Sequence, residues 1–241
     1  MAPVPAIAPA EEIVYPESDG QPMGKTELHL DEIIDLIKAL QDYFREVPNV
    51  YVVGDLFLYY EEGNPEAVVA PDVFVVKGVG KQKRRIYKLW EEGQAPCMVI
   101  EVTSSSTSEK DAFRNKAVYA RLGFEEYYLF DPFGEYLEPR LQGFRLMAGR
   151  YRPMRPARDG SLISRVVGLN LSVEEGHLRL RDTRTGEPLL RIEEVQRARR
   201  EGEERARKAE ERAEREAAAR RVLEAELARL RREMAGRQDN S

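Results

Sequence analysis

The stretch Cys97–Pro132, CMVIEVTSSSTSEKDAFRNKAVYARLGFEEYYLFDP, decides the fold class. Its opening, CMVIEV, reads as a strand buried on both faces apart from one acid, Glu101. The Ser/Thr run after it supplies helix-capping oxygens. Phe113, Ala117, Tyr119 and Ala120 lie on the helix that follows, and Gly123 ends it. EYYLFDP is then a second strand, stopped by Asp131-Pro132. Strand, helix and strand at this spacing form a crossover, which makes the two strands parallel.

Upstream, KTELHLDEIIDLIKALQDYFREV places Leu30, Ile33, Ile34, Ile37, Leu40 and Phe44 at helical spacing, with Thr26 as N-cap. The segment NVYVVGDLFLYYEEGNPEAVVAPDVFVVKG is rich in Val, Tyr, Phe and Leu. Turn signals at Gly54-Asp55 and Gly63-Asn64-Pro65 divide it into three strands with hairpin-type connections. KQKRRIYKLWEEGQAP reads as a short helix or irregular connection. From Gly134 to about Glu187 strand-like pieces alternate with turns, predicting antiparallel strands that extend the sheet or cover one edge.

Charged residues make up 34% of the 241, above the roughly 25% of ordinary domains, so one segment must be unusually charged. It is the tail from about Arg191, where Arg, Glu and Ala dominate. That tail is helix if ordered, with a 4-3-4 apolar seam at Leu223, Leu227, Leu230 and Met234. The expected division is a flexible lead-in over 1–24, a folded domain over 25–190 and a charged helical, coiled-coil tail over 191–241. The seam favours self-association as a homodimer.

Net charge is −5, so bulk electrostatics do not call for nucleic acid; a local basic patch would have to. The lone Cys97 cannot form an internal disulfide and fits a reduced, cytoplasmic setting. The N-terminus lacks the basic and apolar regions of a secretory leader, and no apolar run reaches membrane-spanning length. Two histidines without cysteine partners argue against zinc. KGVGK lacks the GK[ST] ending of a phosphate-binding loop.

The chemistry concentrates on two acids. In VVAPDVFVV (Val68–Val76) the single acid is Asp72, behind Pro71; in the next apolar run it is Glu101. A carboxylate in such a setting is costly unless paired, exposed or bound to metal. The residues alone allow either a strand-edge acid with a salt-bridged buried partner, or two carboxylates on neighbouring strands converging on magnesium or manganese. The following helix offers Lys110 and Lys116 as cations to steady an attacking water or developing charge. The run Lys77, Lys81, Lys83, Arg84, Arg85 and Lys88 is either a solvated loop or a set of phosphate contacts.

PDVFVV, VIEVTSSST, the Asp-to-Lys helix and YARLGFEEYYLFDP together resemble the Uma-type restriction endonuclease family, within the wider PD-(D/E)XK nuclease fold. The resemblance covers roughly Thr26–Leu190 and includes YYEEGNP, RRIYKLWEEGQAP and LRLRDTRTGEPL. It implies a mixed α/β sheet in αβββαβ order, with extra antiparallel strands and a long C-terminal helix. It also implies magnesium- or manganese-dependent cleavage of DNA, with Asp72 and Glu101 as metal ligands. Most nucleases of this fold carry a lysine two residues after the second acid, where this chain has Thr103. Family members place it four residues before the helix tyrosine instead. Counting back from Tyr119, that position is Asn115, and the lysine stands next door at Lys116. The expected site is therefore Asp72, Glu101 and Lys116, with Lys81, Lys83, Arg84 and Arg85 touching phosphates beside it. The alternative is a catalytically weakened interaction module that assembles through its tail helix.

Overall fold

The parallel strand pair is present and organises the molecule. In the computed structural model, which describes residues 13–18, 20, 26–103 and 109–238, the elements are α1 (Glu27–Tyr43), β1 (Val50–Val53), β2 (Leu58–Tyr59), β3 (Val68–Val69), β4 (Val73–Lys77), β5 (Tyr87–Lys88), α2 (Leu89–Glu92), β6 (Met98–Val102), α3 (Glu109–Leu122), β7 (Glu126–Phe130), β8 (Leu141–Met147), β9 (Arg150–Pro153), β10 (Leu162–Ser164), β11 (Leu169–Glu174), β12 (His177–Asp182) and α4 (Ile192–Gln238). The main sheet has the order β1-β4-β6-β7-β8-β9. Its pair β6–β7 is parallel, joined through α3, and its other pairs are antiparallel. Reading α1, β1, β4, β6, α3 and β7 along the chain gives the αβββαβ order of a restriction-endonuclease-like core. The Ser/Thr run expected to cap α3 lies, at 104–108, outside the described residues.

Side-chain alternation along the strands builds two apolar layers. On one face Val52, Val73, Val75, Ile100, Val102, Tyr128 and Phe130 meet Ile33, Leu36 and Leu40 of α1, together with Leu169, Leu171, Leu178 and Leu180. On the other, Phe74, Val76, Val99, Tyr127 and Leu129 meet Tyr119 of α3 and Leu58 and Tyr87. A strand flanked on both sides has no polar face, which is why β6 and β7 read as nearly unbroken apolar runs.

Two expectations change in detail. The segment read as three strands holds four, because β2 and β3 leave the main sheet and join β5 in a small sheet of order β3-β2-β5. Of the later strands, β8 and β9 extend the main sheet, whereas β10-β11-β12 form a separate sheet packed over a face rather than an edge. The lead-in, expected to be flexible, is seated where it is described. Tyr15 packs on Tyr59 and Trp90, its hydroxyl accepts the Gly63 N–H at 2.7 Å, and Tyr59 donates to the Pro16 carbonyl at 2.6 Å.

One buried charge ties the two larger sheets together. Glu126 is fully buried at the start of β7 and accepts from Tyr128 Oη (2.9 Å), Ser164 Oγ (2.5 Å), the Arg165 N–H (3.2 Å) and Arg145 (Nη2 at 2.8 Å). A charge in a dry interior persists only with such a full set of donors.

The chain divides into two units, Met1–Arg191 and Ile192–Ser241. The second is the single helix α4, whose surface is laced by i,i+4 pairs such as Arg199–Glu203 and Arg212–Glu216. Leu223 and Leu227 of the expected seam are exposed; the side chains of Leu230 and Met234 lie outside the described residues. Among the described residues no helix is long and apolar enough to cross a membrane.

Candidate active site

Antiparallel register brings the two acids together. Val73 of β4 lies opposite Ile100 of β6, so Asp72, one residue earlier, falls beside Glu101, one residue later. Their side chains cross. The Asp72 N–H donates to Glu101 Oε2 at 3.2 Å, and the Val102 N–H donates to Asp72 Oδ2 at 2.9 Å. Gly54 makes the approach possible. A Cβ there would lie 2.0 Å from the Asp72 carbonyl oxygen and 2.7 Å from Ile37 Cδ1, so no other residue fits without moving the strand that carries Asp72.

Two further groups close the site. Tyr119 of α3, fully buried, donates its hydroxyl to Glu101 Oε1 at 2.6 Å. His29, in the first turn of α1 and 1% exposed, places Nε2 3.7 Å from Asp72 Oδ1, and among the described residues neither of its ring nitrogens has a hydrogen-bond partner. Burial, and next the negative charge of Asp72, push the Glu101 carboxyl well above the usual carboxylate range; the Tyr119 and Asp72 donors oppose this without offsetting it. Burial, and next the Glu101 charge, push the Tyr119 hydroxyl well up.

This donor set fits a divalent cation of the magnesium type. Both acids offer hard oxygens, and each oxygen that already accepts one protein donor keeps a further lone pair. A carboxyl that holds its proton because it is buried, and next because a second acid stands beside it, gains most from a cation between the two. Among the described residues no cluster of three His, Cys, Asp or Glu is arranged to hold a metal.

The lysine is elsewhere. Lys116 Nζ lies over the Phe144 ring, 3.2 Å from its centroid, and burial lowers its pKa. Phe144 is opposite Tyr127, two residues before Leu129, the β7 partner of Glu101. Two strand spacings and two residues along the sheet put it roughly 12 Å from Glu101. Thr103, at the usual lysine position, directs both its N–H (2.7 Å) and its hydroxyl (3.2 Å) to the Phe130 carbonyl. The Lys110 side chain lies outside the described residues.

A family model described as "Putative restriction endonuclease", Uma2, matches residues 9–174, more than half of the chain. The chain belongs to the Uma2 family. A crystal structure titled as a putative nuclease belonging to DUF820, from Anabaena variabilis ATCC 29413, is similar at 13% identity. It covers 59% of the Uma2 chain and 75% of its own length, with a TM-score of 0.44. No curated protein matches.

The basic run of the Uma2 chain is not brought to the acids. Lys81 donates to the Phe44 and Arg45 carbonyls at 2.5 and 2.8 Å, at the C-terminal end of α1, whereas His29 at its beginning touches Asp72. Fifteen helical residues separate those ends by about 22 Å. Arg84 is held by Glu92 at 2.5 and 2.8 Å and stacks on Tyr51, and Arg85 pairs with Glu17 at 2.5 Å. Of the four expected phosphate contacts, only Lys83 has no such partner among the described residues.

In the sequence Tyr119 served only as a ruler for the lysine, and His29 carried no expected role at the acids. The signal for both was position. Tyr119 is the aromatic that a crossover helix turns toward β6, and His29 sits in the first turn of the helix that packs across the entrance of β4.

Proposed function

We propose that the chain is a metal-dependent endonuclease that hydrolyses phosphodiester bonds of DNA, with Asp72 and Glu101 holding magnesium or manganese. The observation that carries this reading is the interlocked acid pair, in which Glu101 keeps a raised proton affinity against Asp72. When bound, the divalent cation supplies polarisation of a phosphoryl oxygen and a more acidic water. The protein's own part is positioning. The Val102 N–H fixes the Asp72 carboxylate, and Tyr119 fixes the rotamer of Glu101 from the α3 side. His29 screens Asp72 from bulk water on the α1 side. Cleavage of supercoiled plasmid in magnesium or manganese, absent in chelator, tests the proposal.

A second reading is a weakened nuclease that binds through the same fold and self-associates through α4. The seat of Lys116 over Phe144 favours it, because the assigned cation stands off the acids. Asn115→Lys discriminates between the two. Asn115 and Lys116 flank Tyr119 around α3, about 40° to one side and about 60° to the other, so an amine at 115 approaches the Tyr119–Glu101 contact from the side away from Lys116. An amine added there should raise the cleavage rate at least ~10-fold, in line with the gain from one well-placed charge donor. Lys116→Ala should change the rate less than about threefold. A large loss in Lys116→Ala with no gain in Asn115→Lys would instead restore Lys116 to the site. Binding of DNA with no cleavage in either metal by both wild type and Asn115→Lys would favour the weakened reading.

A further inference from the structure

Positive charge collects at the β9 edge of the main sheet, away from the acids. Arg150 and Arg152 alternate along β9, and Arg152 lies opposite Arg145 of β8. Arg145, Arg152, Arg155 and Arg165 line one concavity of ≈ 380 Å³, floored in part by Met147 and Ile163, and no carboxylate lines it. Both apolar residues are exposed, at 58% and 53%.

Other arginines of this unit are committed to partners: Arg84 to Glu92, Arg181 to Glu174, Arg191 to Glu32 and Asp35. Arg145 is held inward by Glu126, which also accepts the Arg165 N–H, so one buried acid sets the position of two lining residues. The guanidinium groups of Arg152, Arg155 and Arg165 have no ion pair or hydrogen bond among the described residues. Three unpaired guanidinium groups around one hollow repel each other, and their forked donors match phosphate oxygens. The clustering is conspicuous in a chain of net charge −5.

We infer that this concavity is a phosphate-backbone contact for nucleic acid, distinct from the acid pair and on the opposite face of the sheet. The faces follow from alternation. Glu101 points toward Tyr119 of α3, whereas Arg145 points with Glu126 toward Ser164 of β10. From Glu101, Arg145 is two strands across and three residues along, roughly 14 Å in the sheet plane. A bound nucleic acid would pass around the β9 edge, its phosphates on the arginines and its apolar surface against Met147 and Ile163. The choice of nucleic acid among polyanions rests on the nuclease reading above.

The test is fluorescence anisotropy of a labelled DNA duplex in chelator, from about 50 to 200 mM salt, on the full chain. The variant Arg152→Ala/Arg155→Ala/Arg165→Ala should weaken binding at least ~10-fold and reduce the slope of log K against log[salt] by about 2–3, near 0.9 for each phosphate no longer neutralised. The corresponding triple Arg→Lys variant should keep most of the slope, which separates charge loss from misfolding. Arg145 is left alone because it partners a buried acid. An unchanged slope in the alanine variant, or no duplex binding by wild type, overturns the inference. So does capture of phosphatidylserine vesicles in place of duplex through the same arginines. A wild type that cleaves plasmid while the alanine variant keeps its slope overturns this site alone. A wild type that never cleaves but loses its slope in the variant overturns the nuclease reading and leaves this site standing.

Discussion

Asp72→Asn and Glu101→Gln should each lower metal-dependent plasmid cleavage by at least about 10²–10³-fold, at unchanged far-ultraviolet circular dichroism. The amides keep the shapes of the acids. Asparagine at 72 can still accept the Val102 N–H, and glutamine at 101 can still accept the Tyr119 hydroxyl through its one carbonyl oxygen, giving up the Asp72 N–H that reaches the other oxygen. What each loses is the charge that would hold the cation. Because the acids act as one unit, the double variant should be hardly worse than the weaker single one. Either variant cleaving at the wild-type rate would remove that acid from the mechanism and overturn the paired site.

Glu126→Ala should cost about 3–5 kcal/mol of stability without touching the acid site. The residue is fully buried, and its removal strands two interior donors, Tyr128 and Ser164, and takes from Arg145 its acid partner. Stranded donors lose their partner while remaining shielded from water, which costs more than the bonds gained on folding. Urea unfolding should show a lower midpoint at an unchanged slope, as expected when stability falls but the surface exposed does not. A loss under about 1 kcal/mol would mean that water reaches the junction and replaces the carboxylate.

The features legible in the sequence were those written in periodicity. The helix over Leu30–Phe44 and the crossover through Tyr119 follow from spacing, and the acids stood out because each was the only charge in an apolar run. What the sequence hid depends on distant partners or on rotation. That β10–β12 cover a face rather than lengthen the sheet is decided by the packing of Leu169, Leu171 and Leu180 on α1 and β4, far away in the chain. Tyr15 is anchored by Tyr59 and Trp90, so its segment looked flexible when read locally. The lysine question turns on one helical step. Asn115 and Lys116 are adjacent in the chain and about 100° apart around the helix, and Phe144, which claims the Lys116 ammonium, lies on a strand the helix does not adjoin in sequence. Glu126 shows the converse. It was read as part of an ordinary strand, because nothing in EYYLF reveals that Ser164 and Arg145 will enclose it.

The central claim is that Asp72 and Glu101 form a divalent-cation site, and calorimetric titration of the metal-free chain with manganese tests it most directly. Glu101 holds its proton to higher pH than an ordinary carboxylate, so manganese must displace that proton. Affinity should therefore rise with pH until Glu101 is ionised in the free chain. Below that point binding should release a proton, seen as a heat that changes with the ionisation enthalpy of the buffer. Glu101→Gln should abolish both the binding and the proton release. Undiminished manganese binding in Glu101→Gln, or no binding by wild type at any pH at which it is folded, would contradict the account.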